Sequence, residues 1–247
     1  NVQPMFFVGR DLDRVHMRQE GSGVVAALEE MLTVARALQT PLEISHLKAI
    51  GRVNWRAAVP QMLAMMESAR EDGVDVACDV YPYTAGSTQL VHVLPPESQK
   101  GGLEALTENL ADPAFREALK DRMLTGSDFE NISLLVGFEN IVASSISRKD
   151  LRQYEGQSIA AIAQQQGKDP FTALFDLLQA AHCDVTMIDF IAAEDDIGSR
   201  ADRVFGDVAL EVAHAEVVRT VQHAAVGVAA AVDEVAVALG GCDEHAR

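Results

Sequence analysis

His16 and His46 are the residues whose type and placement point most directly to chemistry. Each ends a short strand-like segment, 12–16 and 42–46, and one helical stretch, 23–38, lies between them. That is a strand–helix–strand unit, whose two strands run parallel and side by side. Both histidines then sit at the carboxyl ends of neighbouring strands, where α/β barrels build their active sites. Two imidazoles so placed can share a metal ion. Alone, His16 reads equally as a surface or capping residue before the Gly21-Ser-Gly23 turn, and His46 as a satisfied buried histidine. Their matching positions raise the metal reading to stand level with these alternatives.

Three further side chains belong to the same mouth. Lys48 follows His46 by two residues and is either a solvated lysine or a point charge for a substrate carboxylate. Tyr81 and Tyr83 flank Pro82 after the third strand. They are either packing aromatics or phenol donors to a carbonyl and its developing oxyanion. Asp79, on that strand, reads as structural.

The elements that must position these groups follow from periodicity. Val25, Leu28, Met31, Leu32, Val34, Ala35 and Leu38 recur at helical spacing, and Pro41 follows the helix end. A second helix spans 55–70, with Met62, Met65 and Met66 on a face that reads as core. Residues 74–80 form the next strand. This alternation predicts a parallel sheet or barrel.

From about 90 to 138 the rhythm breaks. Pro95-Pro96 and Gly101-Gly102 punctuate short helices at 103–110 and 113–123 and a strand at 131–136. An excursion of this size at the carboxyl end of a strand is usually functional, often a lid. The pattern then resumes with a strand at 140–144, helices at 159–166 and 171–181 capped by Ser158 and Asp169, and a strand at 184–192. The expected organisation is thus 1–83 for the histidine-bearing strands and helices, 84–138 for the lid insertion, 139–197 for a return to the barrel, and 198–247 for a tail. Alanine and valine make up nearly half of that tail, and no lysine follows Lys168.

The 247 residues carry 20 basic and 37 acidic side chains, a formal charge of −17. Such a surface disfavours nucleic acid or an anionic membrane as partner. Three cysteines make no disulfide framework and suit a reducing, cytoplasmic setting. No apolar run is long enough to span a bilayer. Gly21-Ser-Gly23 lacks the Lys-Ser/Thr partner of a phosphate loop. Ser87 is not in a nucleophile elbow.

The motifs themselves carry a resemblance. Glu43-Ile-Ser-His-Leu-Lys-Ala-Ile-Gly51, Asn54-Trp55 and Asp79-Val-Tyr-Pro-Tyr-Thr-Ala-Gly-Ser-Thr88 are similar to the N-acyl-D-amino-acid deacylase (D-aminoacylase) family of the amidohydrolase superfamily. His16-Met-Arg-Gln-Glu20 resembles its preceding histidine strand, and Gly156-Gln-Ser-Ile, Gly167-Lys-Asp-Pro170 and Phe175-Asp-Leu-Leu178 its later region. The likeness covers about 16 to 197. It implies part of a metal-dependent (β/α)8 barrel, about strands five to seven, with an insertion covering the site. It implies zinc, with His16 and His46 as ligands, and Lys48, Tyr81 and Tyr83 near the substrate. The implied reaction is hydrolysis of the amide of a small N-acyl-D-amino acid.

The departures are equally specific. The family's His-x-His pair, its upstream cysteine ligand, its Ser-Asp-Gly general base and its later His-Pro-Arg motif have no match in this chain. The chain reads Gly198-Ser-Arg-Ala-Asp-Arg where the base is due. Composition and resemblance change together there, the pattern of a shifted reading frame. A central fragment, impaired or inactive alone, is therefore expected. Two alternatives remain: a hydantoinase-like amide or cyclic-amide hydrolase of the superfamily, and a non-catalytic binding fragment.

Overall fold

The computed structural model describes residues 5–8, 13–81 and 83–197. The tail at 198–247 and Pro82 lie outside the described residues.

The first sheet has the order β1-β2-β3-β4. Strands β2 (Asp13–His16), β3 (Leu42–Ile44) and β4 (Val76–Cys78) run parallel, and β1 (Met5–Val8) pairs antiparallel with β2. The helices between the parallel strands are α1 (Val24–Leu38) and α2 (Ala58–Glu71). Val24, Ala27, Leu28, Met31, Leu32 and Ala35 form the buried stripe of α1. They recur at three- and four-residue steps, so one face meets the sheet. Met62 and Met66 of α2 are buried in the same core with Val15, Ile44 and Val76, and Met65 packs at its edge. Fully burying a side chain such as Leu28 or Leu32 contributes roughly 1.5–3 kcal/mol.

The second sheet is antiparallel, in the order β5-β7-β6: β5 (Ala85–Gln89), β7 (Val185–Phe190) and β6 (Ile141–Ile146). Strands β6 and β7, from 139–197, thus pair here with β5, from 84–138. The remaining helices are α3 (Gly102–Asn109), α4 (Pro113–Thr125), α5 (Ile132–Val136), α6 (Ile159–Gln166) and α7 (Pro170–Ala180). Two caps are as the sequence predicts. Ser158 Oγ accepts from Ala161 N at 3.1 Å, and Asp169 Oδ1 from Thr172 N at 3.3 Å.

The strand expected at 131–136 is instead α5. Asn131 accounts for the difference. Its side chain accepts from Leu134 N and Ser133 Oγ, and its amide donates to Met123 O at 2.6 Å. This capping pattern starts a helical turn and competes with extended backbone.

One short segment joins the two halves. Leu47 and Ala49 are buried in the first core, while Ile50 belongs to the second, with Leu90, Leu174, Phe175 and Met187. Just beyond it, Gly51 N donates to Ile191 O at 3.2 Å, and Trp55 Nε1 to the same carbonyl at 2.8 Å. The stretch that follows His46 is therefore pinned from both sides. Among the described residues no helix is long and apolar enough to cross a membrane.

Candidate metal centre

Parallel pairing of β2 with β3 brings the two histidines together. His16 is the last residue of β2, and His46 lies just past the end of β3. His16 Nδ1 is 2.8 Å from His46 Nε2. The rings meet edge to face, with centroids 4.6 Å apart at 72°. His16 is exposed and His46 half-buried, so the pair faces an accessible mouth.

His46 is held in an uncommon conformation, with φ +42°. A left-handed non-glycine residue costs on the order of 1–3 kcal/mol and persists where its surroundings over-determine it. Asp79 supplies that constraint. Its carboxylate accepts from His46 N at 2.6 Å, while its carbonyl accepts from Leu47 N at 2.9 Å. Asp79, just past the end of β4, therefore aims His46, a role its expected place on a strand gave no sign of.

The other expected residues gather around the pair. Lys48 Nζ lies 2.9 Å from His46 Nδ1 and donates to Glu20 Oε1 at 2.5 Å. It stands 5.8 Å from the centroid of the Tyr81 ring, and Tyr81 stacks on Tyr83 at 6.3 Å. The lysine is buried rather than solvated, and its charge is engaged by Glu20.

Glu20 is the residue the motif contained without marking. It is buried, at 7% exposure, with Oε1 also 3.0 Å from His46 Nδ1. Burial pushes its carboxyl up. Hydrogen bonds from His46 and Lys48, with the lysine's charge, outweigh that and hold it below the ordinary carboxylate range. The His16 imidazole is held below its ordinary value, first by burial. The Glu20 charge opposes this, and His46 and Lys48 add to it.

The donor set suits a metal ion. Ligand atoms of His16, Glu20 and His46 all lie within 4.8 Å of one another. The 2.8 Å between the facing imidazole nitrogens is a few tenths of an ångström under the spacing of two nitrogen ligands on tetrahedral zinc, about 3.3 Å. Glu20, however, faces Nδ1 of His46, whereas His16 faces Nε2. These are opposite edges of one ring, so an ion taken between the histidines meets Glu20 only through His46. The arrangement is that of a carboxylate behind a metal-binding histidine.

Two acids from the other half of the molecule complete the surroundings. Glu130, in the segment before α5, accepts from Glu20 N at 2.6 Å and from Gly21 N. Burial raises its pKa. Asp189, on β7 opposite Gly86, is 3% exposed, and burial pushes its carboxyl up to about 6. A Cβ at Gly86 would stand 3.0 Å from Asp189 Oδ1 and 3.8 Å from the Tyr81 hydroxyl, so the glycine leaves room between strand and tyrosine.

Comparison with known proteins gives a consistent set of relatives. No family model matches the chain. A D-aminoacylase of Alcaligenes xylosoxydans xylosoxydans is 47% identical over 78 residues, 30% of this chain and 15% of the relative. An N-acyl-D-glutamate deacylase of the same organism is 42% identical over 76 residues, 31% of this chain and again 15% of the relative. Among solved structures, an N-acyl-D-glutamate deacylase from Bordetella bronchiseptica superposes with a TM-score of 0.52 at 26% identity. That likeness covers 76% of this chain and 30% of that one. The solved protein is complexed with zinc and a phosphonate inhibitor that mimics the tetrahedral intermediate of its reaction. The chain thus spans well under half the length of each.

Proposed function

We propose that the chain belongs to the N-acyl-D-amino-acid deacylase family of amidohydrolases, to whose members it is similar, and that it carries part of a zinc-dependent site for hydrolysing an N-acyl-D-amino acid to a carboxylate and the free D-amino acid. The observation that carries this reading is the 2.8 Å approach of His16 Nδ1 to His46 Nε2 at the ends of parallel strands. On this reading β2, β3 and β4 are barrel strands five to seven, and 84–138 is the insertion that covers the site. The contact of Glu130 with the peptide of Glu20 and Gly21 supports that placing.

His16 and His46 hold the zinc. When bound, zinc lowers the pKa of water toward neutrality and polarises a carbonyl. The chain's own groups do the rest. Asp79 and Glu20 fix the backbone and ring of His46. Lys48, paired with Glu20, brings a positive charge beside the histidines as a point charge for the substrate carboxylate. Tyr81 and Tyr83 offer phenol hydrogens to the acyl oxygen as negative charge develops there. The attacking water must lose a proton and the leaving amine must gain one, which needs a group acting first as general base and then as general acid; no residue of this chain is assigned to that role.

A catalytic zinc site takes three protein ligands, and among the described residues the two histidines supply two. The isolated chain is therefore expected to bind zinc weakly and to turn over poorly. Assaying free D-amino acid released from N-acetyl-D-methionine and N-acetyl-D-glutamate tests this. Robust zinc-dependent release by the chain alone contradicts the incomplete-site reading; release of neither amino acid by the chain once joined to its full reading frame contradicts the deacylase reading.

A further inference from the structure

We propose that Glu20 is a positioning residue: its carboxylate accepts the Nδ1–H of His46, selects that tautomer, and turns the bare Nε2 toward His16 and an arriving zinc ion. This rests on the reading of the histidine pair as zinc ligands.

A neutral imidazole carries one N–H, and the hydrogen bond at one nitrogen decides the state of the other. At Nδ1 of His46 there are two neighbours, Glu20 Oε1 at 3.0 Å and Lys48 Nζ at 2.9 Å. A carboxylate only accepts and an ammonium only donates, so they call for opposite tautomers. The lysine has other acceptors, Glu20 Oε1 at 2.5 Å and His46 O at 3.4 Å. Its hydrogens rotate to meet them. Were Nδ1 bare, its lone pair would face a buried carboxylate oxygen. A charge-assisted bond from Nδ1–H to Glu20 removes that repulsion.

The carboxylate is also anchored well enough to choose. Glu20 N donates to Glu130 Oε1 at 2.6 Å, and Glu20 O accepts from Ile50 N at 2.7 Å. The peptide that carries Glu20 is thus tied to the insertion on one side and to the stretch after His46 on the other.

Long-range nitrogen–proton spectra of the metal-free chain, in mildly alkaline buffer, read the tautomer directly. His46 is expected with its proton on Nδ1 in the wild type and in Glu20→Gln, whose amide oxygen still accepts. In Glu20→Ala it is expected to become a mixture. Zinc affinity, read separately by competition with a chelator, is expected to fall about 10–100-fold in Glu20→Ala and to recover in part in Glu20→Gln. Far-ultraviolet circular dichroism reports whether each variant is folded. A wild-type His46 protonated on Nε2 overturns the proposal, as does an unchanged tautomer in folded Glu20→Ala. Should that variant unfold, the wild-type and Glu20→Gln spectra decide. An Nδ1–H tautomer in a wild type that binds no zinc supports the positioning and instead contradicts the zinc reading.

Discussion

Lys48 Nζ lies 2.5 Å from Glu20 Oε1, and both side chains are buried. The pair brings opposite charges into the floor of the histidine site, where neither can be removed without stranding the other. Breaking a buried ion pair costs about 3–5 kcal/mol, because an uncompensated charge is left behind. Lys48→Met is therefore expected to destabilise the chain by about that much. The double variant Lys48→Met/Glu20→Gln should lose less than Lys48→Met alone. Urea unfolding of the two variants measures the coupling. A loss below about 1 kcal/mol in Lys48→Met, the range of exposed pairs, would show that the lysine is solvated.

Glu130 makes a second, structural prediction. Its carboxylate accepts both the Glu20 and Gly21 amides, which ties the segment before α5 to the turn after β2. Glu130→Ala leaves two donors without that acceptor, at a cost of roughly 1–3 kcal/mol each where no water replaces it. Faster hydrogen exchange at those two amides is expected, with Glu130→Gln between the alanine variant and the wild type. Unchanged exchange in Glu130→Ala would remove the segment before α5 from the support of the site.

Asp189 predicts a pH dependence. Burial raises its folded pKa to about 6, above the ordinary aspartate value of about 3.9 in an unfolded chain. The folded state thus holds the proton more tightly. The stability from that difference is present in full below the unfolded value and is lost as pH rises through about 6. The gap is worth about 3 kcal/mol. Asp189→Asn lacks this titration, so the wild type should lose stability relative to it between about pH 4 and 7. Denaturant midpoints across that window check the sign. A wild type that gains on the variant as pH rises would mean the carboxylate is stabilised in the fold, not penalised.

The sequence exposed the histidine frame well, and for a physical reason. Strands β2 and β3, the helix between them and the caps at Ser158 and Asp169 are set by local pattern, so the pair His16–His46 could be inferred from spacing. Glu20, Asp79 and Glu130 were not legible in the same way. Each acts through a contact with a residue distant in sequence, and a lone carboxylate in a turn or on a strand looks like any solvated acid. The pairing of β5 with β7 was hidden similarly, since Ala85–Gln89 carries little apolar patterning and is defined by its partner. At 131–136 the apolar run suggested a strand, but the capping contacts of Asn131 decided for a helix.

The central claim is that His16 and His46 jointly hold a metal ion. Zinc titration of the wild type against a His16→Ala/His46→Ala variant, with a chelator as competitor, tests it most directly. Weak zinc binding by the wild type that is lost in the double variant is the result this account predicts; the same zinc affinity in both proteins would contradict it.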